Sequence, residues 1–224
     1  MNFLSHFYCS ASQPDLTKIA SLFPDVFPKF SYLHNTYFLQ IDKRKLDSLE
    51  LEILHGIEIH YADDKIFHSS DYFKHFNARI DEELKANEVT NPLHRKFLVS
   101  HILFELLIDH WIINQKPGIV SEVYHIADDL DSEVLNRFLS KIIAKTEEIN
   151  ILLTAYEQFR SRRFLNFYAE ESNLVKALHR VTGKISNWEY NEKTEDAFIT
   201  IIQKIKQEIP YSTILDTVKS NRAS

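Results

Sequence analysis

Residues 98–114 read LVSHILFELLIDHWIIN. Nearly every position is apolar, and the main exceptions are His101, Glu105, Asp109 and His110. A helix that is apolar all round is one that a protein core surrounds. At 3.6 residues per turn, His101, Glu105 and Asp109 fall within an arc of about 80°, one turn above another. Leu98, Ile108 and Ile112 lie within or beside that arc, so the stripe is not a solvent face. Buried carboxylates are costly unless they are paired, hydrogen-bonded or bound to a metal. Something must therefore satisfy Glu105 and Asp109. Asn91-Pro92 before this helix and Lys116-Pro117-Gly118 after it set its limits at about 93–114.

A second stretch, HGIEIHYADDKIFH at 55–68, supplies a matching stripe. His60, Asp64 and His68 also stand at i, i+4 and i+8, flanked by Ile57 and Phe67, which turns them inward. Gly56 lies one turn before His60, where a missing side chain lets another backbone or a ligand come close. Two inward stripes mixing imidazole with carboxylate have the composition of two walls of one metal site. Nitrogen and oxygen ligands without thiolate suit a divalent ion, with Mn²⁺ first and Fe²⁺, Zn²⁺ or Mg²⁺ as alternatives. A structural ion-pair network is the competing reading, with Glu105 or Asp109 answering Arg95, Arg160 or Arg163.

The rest of the chain is consistent with a helical protein. Its 224 residues contain three glycines, Gly56, Gly118 and Gly183, where average usage gives roughly fifteen. Glycines so far apart write no phosphate-binding loop, and they disfavour a fold with many hairpins. Lys and Arg total 26 against 32 Asp and Glu, a net charge of −6, which disfavours broad contact with nucleic acid. Cys9 is the one cysteine, so no intrachain disulfide forms, as suits a reducing cytosol. Met1 to Pro14 is apolar but lacks a basic start and is broken by Asn2, Ser5 and His6. No uncharged stretch reaches the length of a membrane span. The expectation is a soluble cytoplasmic protein.

Periodicity and punctuation predict helices at about 14–23, 46–68, 70–86, 93–114, 119–128, 131–147, 149–161, 163–181 and 193–208. Pro24 and Pro28 mark a loop, and the aromatic stretch 30–41 reads equally as strand or helix. Pro210 ends the last helix. The expected product is an all-α, compact bundle of seven or so helices forming a single domain over 1–224, with no linker or repeat. Asp128-Asp129-Asp131 lacks the glycine and distal glutamate of a calcium loop and reads as an acidic helix junction.

Three short motifs resemble a family. Met1-Asn2-Phe3-Leu4-Ser5-His6 is similar to the start of the bacterial acyl carrier protein phosphodiesterases, a divergent branch of the HD-domain hydrolases. Gly56-Ile57-Glu58-Ile59-His60 followed by Asp64 resembles that family's Gly-Ile-x-x-His-x-x-x-Asp. Glu105-Leu106-Leu107-Ile108-Asp109-His110 resembles its acidic residue-x-x-x-Asp-His segment. The resemblance implies an HD-like metal-site core over about 1–115, with additional helices over about 119–220. It also implies phosphodiester hydrolysis that releases 4′-phosphopantetheine from holo-acyl carrier protein, a place in fatty acid biosynthesis. Carried over, His6, Asp25, His60, Asp64, Asp109 and His110 are its metal-site residues. The family's Gly-Asn before the counterpart of Asp25 is Ala20-Ser21 here. Its Arg after the motif His is Tyr61, and its Thr-Asp a turn beyond Asp64 is Phe67-His68.

In that mechanism Asp64 or Asp109 ligates the metal or orients its water, while Glu105 and His101 serve the outer shell or proton transfer. The carrier protein is the expected partner, and it is acidic, so an acidic enzyme needs a local basic patch. Arg160, Arg162 and Arg163, interleaved with Phe159 and Phe164, are the first choice for it. Neither nucleic acid nor membrane is expected as a partner. Two other readings stay open: an HD-like hydrolase of another phosphoester or nucleotide, and a helical interaction module without activity.

Overall fold

A computed structural model describes residues 1–27 and 41–222. Among them are twelve α-helices and no strand. They are α1 (Phe3–Cys9), α2 (Asp15–Ala20), α3 (Phe23–Val26), α4 (Ser48–Ser69), α5 (Asp71–Ala86) and α6 (Lys96–Gln115). There follow α7 (Ile119–Asp129), α8 (Ser132–Ile142), α9 (Thr146–Arg162), α10 (Glu171–Ser186), α11 (Glu192–Ile205) and α12 (Tyr211–Arg222). Short 3₁₀ turns occupy Lys43–Lys45 and Phe164–Ala169. The aromatic stretch read from the sequence at 30–41, apart from Ile41, lies outside the described residues, as do Pro28 and His34.

The described residues fall into two compact units. One takes them from Met1–Ser5, Asp64–Pro117 and Leu165–Ser224, the other from His6–Asp63 and Gly118–Phe164.

In the first unit α6 is the central element, with α5 and α10 packed against it and α11 against α5 and α10. Leu103, Phe104, Leu107, Ile108 and Ile112 of α6 are all fully buried, as an all-round apolar helix requires. Glu105 and Asp109 are buried with them. By length and composition α6 is apolar enough to cross a membrane, but most of it is inside its unit. Ser70 caps α5 by accepting a hydrogen bond from Phe73 N at 3.1 Å, and Asn191 and Thr194 form a reciprocal cap on α11.

In the second unit α9 packs on α3, α7 and α8, and α2 packs on α7. Tyr156 of α9 donates to the carbonyl of Ala127 at 2.8 Å, satisfying a hydroxyl inside the core. Gly56 decides how close α2 and α4 come. A Cβ there would meet Thr17 O at 2.4 Å, Ala20 Cβ at 2.7 Å and Ser21 N at 2.9 Å. Only glycine admits that approach.

Several boundaries differ from the expected ones. The helix expected at 14–23 is two short helices, and Pro24, read as loop, sits in the first turn of α3 where a missing N–H is harmless. The helix expected at 131–147 stops at Ile142, because Ile143 turns extended and stays buried. The one expected at 163–181 does not begin at 163. Arg163 takes a left-handed conformation (φ 46°), a 3₁₀ turn follows, and α10 starts at Glu171. The helix expected at 193–208 stops at Ile205, five residues before Pro210, and Pro210 instead opens α12, its carbonyl accepting from Ile214 N at 3.1 Å. The count of seven or so helices is therefore too low, mainly because short helices and α12 were not separated.

Candidate functional site

In the second unit, α1, α3 and α4 bring together His6, Asp25 and His60. The rings of His6 and His60 stack with centroids 3.8 Å apart and planes 23° apart. A ring nitrogen of each lies within 4.8 Å of the other, close enough to share one ion. His6 is fully buried and His60 nearly so. The Nδ1–H of His60 donates to the carbonyl of Ser21 at 2.8 Å. That bond places the proton on Nδ1 and the lone pair on Nε2. Nε2 stands 4.0 Å from Asp25 Oδ1, beyond hydrogen-bond reach. Asp25 is the more open member, its side chain 26% exposed.

Asp63, which the sequence reading did not single out, is fully buried with Oδ2 3.8 Å from His6 Nδ1. The signal for it was present: His60 and Asp63 are three apart on one helix and so share a face. His6 and His60 each have a carboxylate beside them, imidazole and carboxylate are ligand types that a divalent ion takes, and burial makes a neutralising cation valuable.

The first unit holds a different cluster. The Met1 ammonium lies 2.6 Å from Asp64 Oδ1 and 3.0 Å from Glu105 Oε1. His68 Nε2 and His101 Nε2 meet the same Glu105 oxygen at 3.0 Å and 3.1 Å. Burial alone would raise the Glu105 carboxyl. The Met1 ammonium and the hydrogen bonds from His101 and His68 outweigh it and hold the group well below the usual carboxylate range.

Compared with family models, with curated proteins and with solved structures, the chain finds no match.

The remaining predicted residues stand elsewhere. Asp109 accepts from Leu4 N at 3.1 Å, Ser5 N at 2.9 Å and Ser5 Oγ at 3.0 Å, so it binds the opening turn of α1 to α6. His110 donates from Nδ1 to the carbonyl of Tyr168 at 2.9 Å. It lines a cavity of about 510 Å³ with Trp111, Glu171, Lys206 and Tyr211. Glu105 meets an ammonium and two imidazoles, and Asp109 meets backbone N–H groups. Arg160 pairs with Glu157 at 2.7 Å, while Arg163 pairs with Asp128 and covers the ring of Tyr124 at 5.1 Å. Arg162 is exposed. Much of that expected basic patch is thus matched by nearby carboxylates. Asp131 accepts from Glu133 N at 2.8 Å and caps α8, in line with an acidic helix junction.

Proposed function

We propose that this protein is a metal-dependent phosphodiester hydrolase of HD-domain type, with His6, Asp25, His60 and Asp63 holding a divalent ion. The observation that carries the reading is the His60 ring, whose Nδ1–H is committed to Ser21 O while its Nε2 faces the Asp25 carboxylate across 4.0 Å. An imidazole nitrogen and a carboxylate set side by side are ligand types that a divalent ion takes. A divalent ion bound there polarises a phosphoryl oxygen and lowers the pKa of its water toward neutrality. The chain's own part is to fix the ligands: Ser21 O orients His60, the stack on His6 sets its plane, and Gly56 lets α2 come near enough for both. Asp25, the open member at 26% exposure, is the group assigned to take a proton from attacking water. Asp109 and His110 stand with the start of α1 and Tyr168, and the reading does not depend on them.

The substrate proposed first is the 4′-phosphopantetheine diester of holo-acyl carrier protein, on the strength of the three resembling motifs, and the setting is cytoplasmic. One observation favours another phosphoester. Phe67, where the family has a polar residue, is fully buried between Phe73 and Phe104, and His68 is committed to Glu105.

The test begins with the metal content of protein prepared without chelator or affinity metal, beside folded His60→Ala and Asp25→Asn. Near-stoichiometric Mn, Fe or Zn in the wild type, reduced in both variants, is expected. Metal-loaded protein should then strip the pantetheine mass from a holo-carrier protein or cleave a member of a phosphodiester and nucleotide panel. A wild type that neither contains nor takes up metal overturns the hydrolase reading and leaves an interaction module.

A further inference from the structure

The cluster at His68, His101 and Glu105 is not used by the reading above, and its three ligand atoms are near enough to one another to hold a metal ion. His68 lies in the last turn of α4, while His101 and Glu105 are one turn apart on α6. Both imidazoles present Nε2 to a single carboxylate oxygen, at 3.0 Å and 3.1 Å. All three ligand atoms lie within 4.8 Å of one another. Neighbouring ligands of a tetrahedral ion with bonds of about 2.1 Å are about 3.4 Å apart, so each imidazole must draw back from the carboxylate oxygen by only a few tenths of an ångström. The same oxygen also faces the Met1 ammonium at 3.0 Å. Three donors therefore crowd an atom that has two lone pairs.

The rings are held where they are. Their centroids are 4.9 Å apart, and Phe73 stands edge-on to His68 at 4.8 Å and to His101 at 4.9 Å. Phe67 and Phe104 complete an apolar floor. Glu105 is 10% exposed at its side chain, whereas His68 and His101 are 33% and 25% exposed, so the cluster opens to solvent on its imidazole side. Rigid rings, a buried carboxylate and an open mouth are what a metal with solvent-accessible positions needs.

We infer that His68, His101 and Glu105 form a second divalent-metal site, of the zinc class. Two imidazole nitrogens and one carboxylate oxygen match the ligands of Zn²⁺, and three protein ligands leave a position for water. For this each imidazole moves its proton from Nε2 to Nδ1, freeing the Nε2 lone pair. The ion takes Glu105 over from the Met1 ammonium, which keeps Asp64 at 2.6 Å. The result is a clamp between the end of α4 and the first half of α6.

The site is tested with Zn²⁺ by calorimetry and Co²⁺ by visible absorption, on wild type, His101→Ala, Glu105→Gln and His60→Ala. His101→Ala and Glu105→Gln should each weaken one Zn²⁺ equivalent at least about tenfold and remove one Co²⁺ band. His60→Ala should leave that equivalent in place. Loss of metal in His60→Ala alone overturns this site while sparing the proposed hydrolase centre. The reverse pattern sinks the hydrolase centre and spares this one. A readout on the unaltered chain covers variants that do not fold. Zn²⁺ should slow carbethoxylation of His68 and His101, followed by peptide mass, and equal rates with and without Zn²⁺ overturn the proposal.

Discussion

The Nδ1–H of His60 and the carbonyl of Ser21 meet at 2.8 Å, tying the middle of α4 to the end of α2. The contact exists because Gly56, one turn earlier, carries no side chain where Thr17 O would be 2.4 Å from a Cβ. Gly56→Ala should push α2 away, cost about 1–3 kcal/mol and lower metal uptake, because His60 loses its orienting acceptor. Urea unfolding and metal titration check both effects. Unchanged stability would show that α2 moves freely.

Asp109 satisfies the first N–H groups of α1, donors that no intrahelical carbonyl can reach. Asp109→Ala leaves them buried and should cost about 3 kcal/mol, with faster amide exchange in α1. Asp109→Asn keeps one acceptor oxygen and should fall between. Amide exchange in α1 that matches the wild type would deny Asp109 this role.

Glu83 joins α5 to α11 through Lys204 at 2.6 Å and also pairs with Arg79. The Lys204 hydrogen bond, opposed by partial burial and aided by Arg79, holds its carboxyl below the ordinary 4.5. A depressed carboxyl contributes stability that is complete above its unfolded value and is lost as the pH falls below it. Unfolding measured between about pH 3 and pH 7 should therefore show a shallower acid limb for Glu83→Gln than for wild type. Parallel curves would mean that the pairs contribute nothing measurable.

Trp111 stacks on Tyr211 with centroids 5.3 Å apart and planes 8° apart, anchoring α12 to α6. Tyr211→Ala should destabilise the fold by about 3 kcal/mol and shift Trp111 emission, with Trp188 as the second fluorophore. Emission identical to wild type would place α12 elsewhere.

Some of this was legible in the residues alone. The all-round apolar character of 98–114 dictates a buried helix, because a core is the only place that accepts it. The three glycines and the regular spacing of apolar residues select helices, since both are local properties of the chain. Spacing of four likewise puts His101 and Glu105 in contact, because one helix fixes both.

What lies between helices was decided by tertiary structure. Periodicity finds the carboxylates Glu105 and Asp109 and the neighbouring His101, but not their other partners. Those are the Met1 ammonium, His68 and the backbone of α1, groups far from them in the sequence. Nor does spacing tell that His6 stacks on His60, that Asp63 faces His6, or that His110 turns to Tyr168. Each depends on how one helix lies against another. That is set by the summed packing of many side chains, here with Gly56 as the point of closest approach.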